Sequence, residues 1–313
     1  MTSLPSEISS ETSNATISQS GKPTVDLRCT SAESMGFLGD DALDLVVTSP
    51  PYWNAREYSK YKRGTKKDRT RDYRKGFGDG SYEAYLALMS RSFAQVYRVL
   101  KPGGICCVNM SSVLYMTRMY PIPADLTKRL IELGFEMKEE LIWDKTHSAC
   151  DRFGSFAQNP LPHLYYPNLS SERILIMRKP GPRAAKTADP AMREASRLPL
   201  TKLATTEISN DVWHIAALRH GEVEHCAPFP QDLVARLVLL YSHKGETVLD
   251  PFLGSGQVMI VAKAYGRGFV GLDVEEKFVK YALSRVDEPL KLRCKQLVAR
   301  YAHIEGDDFL RPA

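Results

Sequence analysis

The chain has 313 residues, 43% of them hydrophobic and 25% charged, and this composition is typical of a globular protein. Its net charge of +5 favours polyanionic partners without identifying one, and its six cysteines and seven histidines show no zinc-ligand spacing, so no metal site is predicted. It has neither an apolar run of membrane-spanning length nor a secretory signal pattern, so we expect a cytoplasmic protein that does not enter membranes.

The chain order of the predicted elements indicates an α/β fold. Residues 1–23 are rich in Ser, Thr and Glu and are predicted to be a disordered tail, and residues 24–313 to form one folded domain. Strands and helices then alternate, which indicates a mostly parallel twisted sheet flanked by helices. The predicted strands are Leu43–Thr48, 105–109, 140–143, 173–178, Thr247–Asp250 and 269–272. The predicted helices are 82–100, 231–242, 275–286 and one that begins at about 257.

The first motif is Thr48-Ser49-Pro50-Pro51-Tyr52-Trp53, which directly follows a buried strand. Two prolines between a serine and two aromatic residues would form a rigid, apolar slot with a few fixed hydrogen-bond acceptors. Such a slot suits a flat heterocycle that carries an exocyclic amino group. A proline-rich turn that caps the strand would explain Pro-Pro-Tyr alone, and on this motif alone we would favour the turn.

The second motif runs from Val248 to Gly256 and places a Gly-x-Gly turn between a strand and a helix. Glycines there allow a ligand to approach the backbone closely, as at nucleoside-binding edges of parallel sheets. The turn is not a phosphate loop, because no Lys-Ser/Thr follows it, and it lacks the third glycine of the dinucleotide fingerprint. Asp273 ends the next strand, where it could accept hydrogen bonds from both ribose hydroxyls or cap the following helix.

The pairing of these motifs is more specific than either motif alone. Asp250-Pro251-Phe252-Leu253-Gly254-Ser255-Gly256 followed by Gly271-Leu272-Asp273 resembles the S-adenosylmethionine-binding half of a class I methyltransferase. Together with Ser49-Pro50-Pro51-Tyr52 it resembles the β group of amino-group DNA methyltransferases, of the N4-cytosine type. In that group the motif order is circularly permuted, with the catalytic motif first. Segments 98–104, 141–145, 171–175 and 225–230 carry further similarity to the same family.

The resemblance implies a catalytic methyltransferase domain over residues 24–313, with S-adenosyl-L-methionine as its cofactor. It implies that Ser49, Pro50, Pro51 and Tyr52 are catalytic. It also implies that the cofactor is bound by Thr30, Asp250, Pro251, Phe252, Gly254, Ser255, Gly256, Asp273, Phe229 and Pro230. The chain departs from the family pattern at two places. Cys29-Thr30 stands where the family often has Gly-Asp, and Gly256-Gln257 stands where Gly-Thr is commoner.

The chemistry implied by the resemblance explains the catalytic motif. The amino group of cytosine is a poor nucleophile, because its lone pair is delocalised into the ring. The Ser49 hydroxyl and the Pro50 carbonyl would accept its two hydrogens, and Tyr52 would offer a ring face for stacking. The target nucleotide would flip out of the duplex. Methylation at ring carbon C5 would need a thiolate, commonly in a Pro-Cys pair, and the chain has no such pair.

Two irregular segments are predicted to contact DNA. The loop 54–80 follows the catalytic motif directly and is rich in Lys and Arg, so we expect it to grip phosphates. Its candidate DNA-binding residues are Arg56, Lys60, Lys62, Arg63, Lys66 and Lys67. Residues 180–224 are expected to be the target-recognition region, because the β group carries it at this place.

The resemblance implies double-stranded DNA as the substrate and a restriction endonuclease of the same site specificity as a partner in a restriction–modification system. Adenine-N6 methylation is the nearest alternative, since it uses the same geometry on another exocyclic amine. Ser49 favours cytosine, because adenine enzymes of the family more often carry Asp or Asn there. An alternative of another class is a non-catalytic DNA-binding or cofactor-sensing protein.

Overall fold

The computed structural model describes residues 14–18, 23–53, 81–115, 118–145, 161–163, 165, 169–182, 188–218, 230–292 and 308–312. The strands in this part of the chain are β1 (Ala15–Ile17), β2 (Val25–Cys29), β3 (Leu43–Thr48), β4 (Leu100–Met110), β5 (Val113–Tyr115), β6 (Arg118–Tyr120), β7 (Glu136–Asp144), β8 (Ser171–Arg178), β9 (Val212–His214), β10 (Thr247–Asp250) and β11 (Gly268–Asp273). The α-helices are α1 (Tyr82–Val99), α2 (Ile122–Glu132), α3 (Pro190–Ala195), α4 (Gln231–Tyr241), α5 (Gln257–Ala264) and α6 (Glu276–Ser284). A π-helical turn spans Ala204–Ile208, and a 3₁₀ turn spans Asp308–Leu310.

Nine of the described strands form one sheet in the order β1-β2-β11-β10-β3-β4-β8-β7-β9, and β5 and β6 form a separate hairpin. Strands β2, β11, β10, β3 and β4 run parallel to one another, and β9 is parallel to β7. The antiparallel pairs of the sheet are β1 with β2, β4 with β8, and β7 with β8. The prediction of a mostly parallel sheet flanked by helices is therefore confirmed.

The sheet is covered on both faces by apolar clusters. One cluster contains the buried side chains of α4 and α5 together with Val47 and Cys107 of the sheet, and we call this side the α4 face. The other contains the buried side chains of α1 and α2 together with Val46 and Cys106, and we call it the α1 face. Alternate residues of each central strand thus enter opposite clusters, as side chains that alternate across a buried parallel strand must.

Local sequence explains the ends of α1. Ser81 caps its first turn by accepting a hydrogen bond from the backbone N–H of Ala84 over 3.0 Å. The backbone becomes extended at Leu100, which begins β4. The predicted helix 82–100 is thus found, and it ends one residue early.

One expectation for the N-terminus was wrong. Ala15–Ile17 lies inside the predicted disordered tail, yet it pairs antiparallel with Val25–Cys29 at the edge of the sheet. Asn14 also accepts a hydrogen bond from the backbone N–H of Cys29 over 3.0 Å. An edge strand leaves backbone groups unpaired, and even three residues of low apolar content can satisfy them. Residues 1–13 and 19–22 of the tail lie outside the described residues.

The predicted recognition region also contains more regular structure than its composition suggests. Within residues 180–224 the chain forms α3, the π-helical turn and β9, and β9 joins the main sheet beside β7. Trp213 of β9 is 1% exposed. A three-residue strand is too short to show periodicity, so only its pairing with β7 reveals it. The end of the segment is therefore part of the protein core.

Candidate active site

The carboxyl ends of three neighbouring parallel strands meet at one edge of the sheet. They end in Thr48 of β3, Asp250 of β10 and Asp273 of β11, and β10 lies between the other two. Ligands of open α/β sheets bind outside this edge, where the loops that follow the strands form a crevice. The two sequence motifs are far apart in the chain, and the topology brings them to adjacent strands.

A buried hydrogen bond joins the two motifs. The Thr48 hydroxyl donates to Oδ1 of Asp250 over 2.7 Å, and the backbone N–H of Phe252 donates to the same oxygen over 3.1 Å. Burial raises the pKa of Asp250 to about 7, although both hydrogen bonds act against the rise. The catalytic strand and the cofactor strand are therefore held in register at the residue where the first motif begins.

The glycine turn has the backbone conformation that the sequence predicts. Gly254 and Gly256 have φ values of 50° and 75°, and Gly256 caps the N-terminus of α5. A Cβ atom on Gly256 would lie 2.9 Å from Cβ of Ala282 in α6, so the close approach of α6 also requires glycine there. Behind the turn, Arg285 donates to the carbonyl oxygen of Ser255. The turn is thus fixed from the side that faces the protein.

Asp273 performs both of the roles that its position allows. Its carboxylate accepts hydrogen bonds from the backbone N–H groups of Gly254, over 3.0 Å, and of Glu275, over 2.9 Å, so it links the glycine turn to the start of α6. Burial raises its pKa to about 6. The backbone N–H of Thr30 donates to the Asp273 carbonyl over 3.0 Å, which places Thr30 at the same edge. Each carboxylate oxygen retains a second lone pair that could accept from a ribose hydroxyl.

The arrangement fits S-adenosylmethionine. The open glycine turn lets a nucleoside approach the backbone, and a carboxylate stands at the end of the adjoining strand, as ribose recognition requires. Pro230, the N-cap of α4, is buried, and its carbonyl accepts from Leu233. The ring of Phe252 instead turns toward the α1 face, 6.5 Å from the ring of Phe93. Phe252 therefore contributes its backbone, rather than its ring, to this edge.

The catalytic tetrad leaves the sheet directly after Thr48. Ser49, Pro51 and Tyr52 are partly exposed, and Pro50 is buried. The next residue, Trp53, is buried and lies within 5.7 Å of three tyrosine rings, as measured between ring centroids: Tyr82 of α1, Tyr115 of β5 and Tyr120 of β6. Trp53 is thus a core residue that anchors the end of the tetrad, one of the two roles that its sequence position allows.

Some of the predicted site residues lie outside the described part of the chain. They are Phe229 and the loop 54–80, with Arg56, Lys60, Lys62, Arg63, Lys66 and Lys67. In the part of the chain that the structure describes, no group of three or more His, Cys, Asp or Glu side chains could hold a metal ion. Within the same residues, no helix combines the length and the apolar character needed to cross a membrane.

Two residues that build this edge were not predicted from the sequence. Thr48 was predicted only as the end of a strand, although its hydroxyl connects the two motifs. Arg285 follows α6 and holds Ser255 while it forms an ion pair with Glu288. A single arginine after an amphipathic helix carries no sequence signal of such a role. The position of Thr48 directly before the tetrad could have suggested its role.

Comparison with known sequences identifies the family. Residues 43–284 match the model of the N6/N4 family, described as DNA methylase. Type II methyltransferase M.MthZI of Methanothermobacter thermautotrophicus is 30% identical, over 87% of this chain and 79% of its own length. Type II methyltransferase M.MjaI of Methanocaldococcus jannaschii is 29% identical, over 78% of this chain and 85% of its own length.

Solved structures have the same architecture. A DNA modification methylase assigned in Thermus thermophilus, solved with S-adenosyl-L-methionine, is 28% identical and superposes with a TM-score of 0.63 over 83% of this chain and 92% of its own. PvuII DNA methyltransferase, which is cytosine-N4-specific, shares the fold at 17% identity, with a TM-score of 0.58 over 86% of this chain and 91% of its own. The chain therefore belongs to the N6/N4 family of DNA methylases and is an S-adenosylmethionine-dependent DNA methyltransferase.

Proposed function

We propose that the enzyme methylates the N4 amino group of cytosine in a short duplex DNA site, by direct in-line transfer after the base has flipped out. The hydrogen bond between Thr48 and Asp250 carries this proposal. It binds the strand that leads into Ser49-Pro50-Pro51-Tyr52 to the strand that leads into the glycine turn. Neighbouring strands lie about 4.8 Å apart, so the amino group and the methyl donor would be held side by side.

The tetrad would prepare the amino group for attack. S-adenosylmethionine supplies a methyl group that its sulfonium already activates. The Ser49 hydroxyl and the Pro50 carbonyl accept the two amino hydrogens, and this localises the nitrogen lone pair toward the methyl group. Tyr52 stacks on the base, an interaction worth about 1–3 kcal/mol. Orientation of the two reactants can lower the barrier by roughly 7–11 kcal/mol, so no covalent intermediate is needed.

The remaining parts of the proposal concern DNA. The basic loop 54–80 grips phosphates beside the target base, and the described residues 188–211 belong to the segment that reads the site. The similarity to Type II methyltransferases supports a role in a restriction–modification system, in which the enzyme protects DNA from an endonuclease of the same specificity. The permuted order of the motifs supports membership of the β group.

Product analysis tests the proposed reaction. The enzyme is incubated with labelled S-adenosylmethionine and with duplex DNA from its host, and the DNA is then digested to nucleosides. We expect the label in N4-methylcytosine. Label in N6-methyladenine would overturn the cytosine assignment and leave an amino-group transferase. Absence of label in DNA would favour the non-catalytic alternative.

Variants test the roles within the tetrad. Ser49→Ala and Tyr52→Ala should each lower the single-turnover rate of transfer by about 100-fold or more, because they remove an acceptor and a stacking surface. The dissociation constant for S-adenosylmethionine, measured by calorimetry, should stay within about twofold of the wild-type value, because the groups that hold the cofactor remain intact. Near-normal transfer by either variant would refute its assigned role.

A further inference from the structure

Three polar side chains lie together beside the tetrad, and neither the family assignment nor the proposed chemistry gives them a role. Asn109 lies near the end of β4, Glu172 near the start of β8, and Lys145 directly after β7. The side-chain nitrogen of Asn109 donates to one oxygen of Glu172 over 2.5 Å, and Lys145 donates to the other over 2.7 Å. The side chains of Lys145 and Glu172 are only 14% and 11% exposed, and Asn109 is 3% exposed.

The ion pair determines which way the amide of Asn109 faces. A carboxylate only accepts hydrogen bonds, so the NH₂ group of Asn109 must point at Glu172 and the amide oxygen Oδ1 must point away from it. That oxygen is buried and has no hydrogen-bond partner among the described residues. An unsatisfied buried acceptor costs roughly 1–3 kcal/mol. We therefore expect a donor to reach Oδ1 in the working enzyme.

The strand register places Ser49 beside this oxygen. Thr48 of β3 pairs with Val108 of β4, so Ser49 and Asn109 are the next residues on two adjoining parallel strands, with backbones about 5 Å apart. The preceding side chains on the same side of the sheet, Val47 and Cys107, both pack on the α4 face. By the alternation of side chains, Ser49 and Asn109 follow them on that face.

We propose that Asn109 is a positioning residue that acts through Ser49. The amide oxygen of Asn109 accepts the hydroxyl hydrogen of Ser49, and the lone pairs of the serine oxygen then remain available to the amino group of the target base. A hydroxyl has one hydrogen and two lone pairs, so it accepts from the amine best when its own hydrogen is directed elsewhere. Glu172 and Lys145 hold the amide in the required orientation. This inference rests on the proposed role of Ser49 as an acceptor.

A double-mutant cycle tests the inference. Asn109→Leu keeps the approximate volume of the side chain and removes the acceptor. We expect a single-turnover rate about 10- to 100-fold lower, with dissociation constants for S-adenosylmethionine and DNA within about twofold of wild type. In a Ser49→Ala background, Asn109→Leu should cause no further loss, because the hydroxyl that it orients is gone. A further loss of equal size in that background would overturn the inference, because Asn109 would then act independently of Ser49.

Two more variants separate this role from a loss of stability. Glu172→Gln keeps the volume of the side chain but lets its amide donate to Asn109, so we expect a slower rate with the same dependence on Ser49. Ser242→Ala removes a buried hydroxyl that accepts from Arg267, at the end of α4 away from the tetrad. It should lower the melting temperature and leave the transfer rate unchanged.

The cycle also distinguishes failure of the inference from failure of the proposed function. If Ser49→Ala transfers methyl groups at the wild-type rate, the acceptor role of Ser49 is wrong, and the inference fails with it. If Ser49→Ala is slow but both Asn109→Leu and Glu172→Gln are normal, the proposed function stands and only the inference fails.

Discussion

The cofactor side and the tetrad side of the active edge are held in place by different interactions. On the cofactor side, hydrogen bonds to Asp250 and Asp273 fix the glycine turn and the start of α6. On the tetrad side, Trp53 anchors the chain by packing among tyrosine rings. Changes on the first side should therefore alter cofactor affinity and its pH dependence, whereas changes on the second should alter the transfer rate.

The largest effect is expected for Trp53→Ala. Loss of a buried tryptophan typically costs about 3–5 kcal/mol of stability, and here it would also release the end of the tetrad. We expect a large loss of stability in urea unfolding and, under conditions where the variant is folded, a transfer rate at least about tenfold lower. The affinity for S-adenosylmethionine should change little.

Phe135→Ala provides a matched control for Trp53→Ala. Phe135 is also buried on the α1 face, where its ring meets that of Tyr97 at 4.9 Å, but it precedes β7 and so lies away from the tetrad. This variant should lose stability and keep the rate. If both variants transfer methyl groups equally fast when folded, Trp53 contributes stability alone, and the contrast between the two sides is wrong.

The next effect is expected for Gly256→Ala on the cofactor side. Its φ of 75° costs a side chain roughly 1–2 kcal/mol, and the new Cβ would in addition meet Ala282 at 2.9 Å. We expect affinity for S-adenosylmethionine to fall at least about tenfold in calorimetry. Gly245→Ala is the control, because Gly245 has φ of 85° but no atom of the described residues within 4 Å of a Cβ. Equal affinities of the two variants would show that α6 does not press on the turn.

Asp250→Asn should make the cofactor-free enzyme more stable at high pH. The folded-state pKa of about 7 lies above the unfolded value of roughly 3.9, so between these values the folded state binds more protons. Stability is therefore lost as pH rises from about 4 to about 7. Asparagine can accept the same hydrogen bonds without ionising. At pH 8 we expect a gain of roughly 1–3 kcal/mol over wild type in urea unfolding, and little difference at about pH 4.

Asp40→Asn, at an exposed site paired with Arg98, controls for the substitution itself. A stability difference between Asp250→Asn and wild type that does not vary with pH would show that Asp250 does not titrate as its burial predicts. The gain in stability should accompany weaker binding of S-adenosylmethionine, because the carboxylate that is costly to bury in the free enzyme is the one retained at the cofactor edge.

The pH dependence of cofactor affinity offers a smaller effect. With a pKa of about 6, Asp273 is mostly ionised at about pH 7 and mostly protonated at about pH 5, and the ionised form is the better acceptor for ribose hydroxyls. We expect the dissociation constant for S-adenosylmethionine to rise by up to about tenfold more in wild type than in Asp273→Asn over this range. Parallel pH profiles would exclude Asp273 from cofactor binding.

The smallest expected effect concerns the basic loop. Replacing Lys62, Lys66 and Lys67 with Gln should weaken DNA binding and flatten its dependence on salt by up to about one unit of slope for each phosphate that is no longer bound. Neither the stability of the cofactor-free enzyme nor its affinity for S-adenosylmethionine should change. An unchanged salt slope would contradict a phosphate-gripping role for the loop.

Sequence alone determined the chemistry and the frame of this protein. The glycine turn and the end of β11 can be read from the chain, because a turn that needs positive φ selects glycine and a buried parallel strand is an apolar run. The long helix α1 is visible because its apolar residues recur at helical spacing. These signals are local, and each is contained in a single stretch of residues.

Tertiary structure decided which residues cooperate. The bond from Thr48 to Asp250, the hold of Arg285 on Ser255, and the cluster of Asn109, Glu172 and Lys145 each join residues far apart in the chain. The strands β1 and β9 exist because neighbouring strands offer them unpaired backbone groups. No local pattern encodes such contacts, because they arise from strand order and register, which only the packed sheet determines.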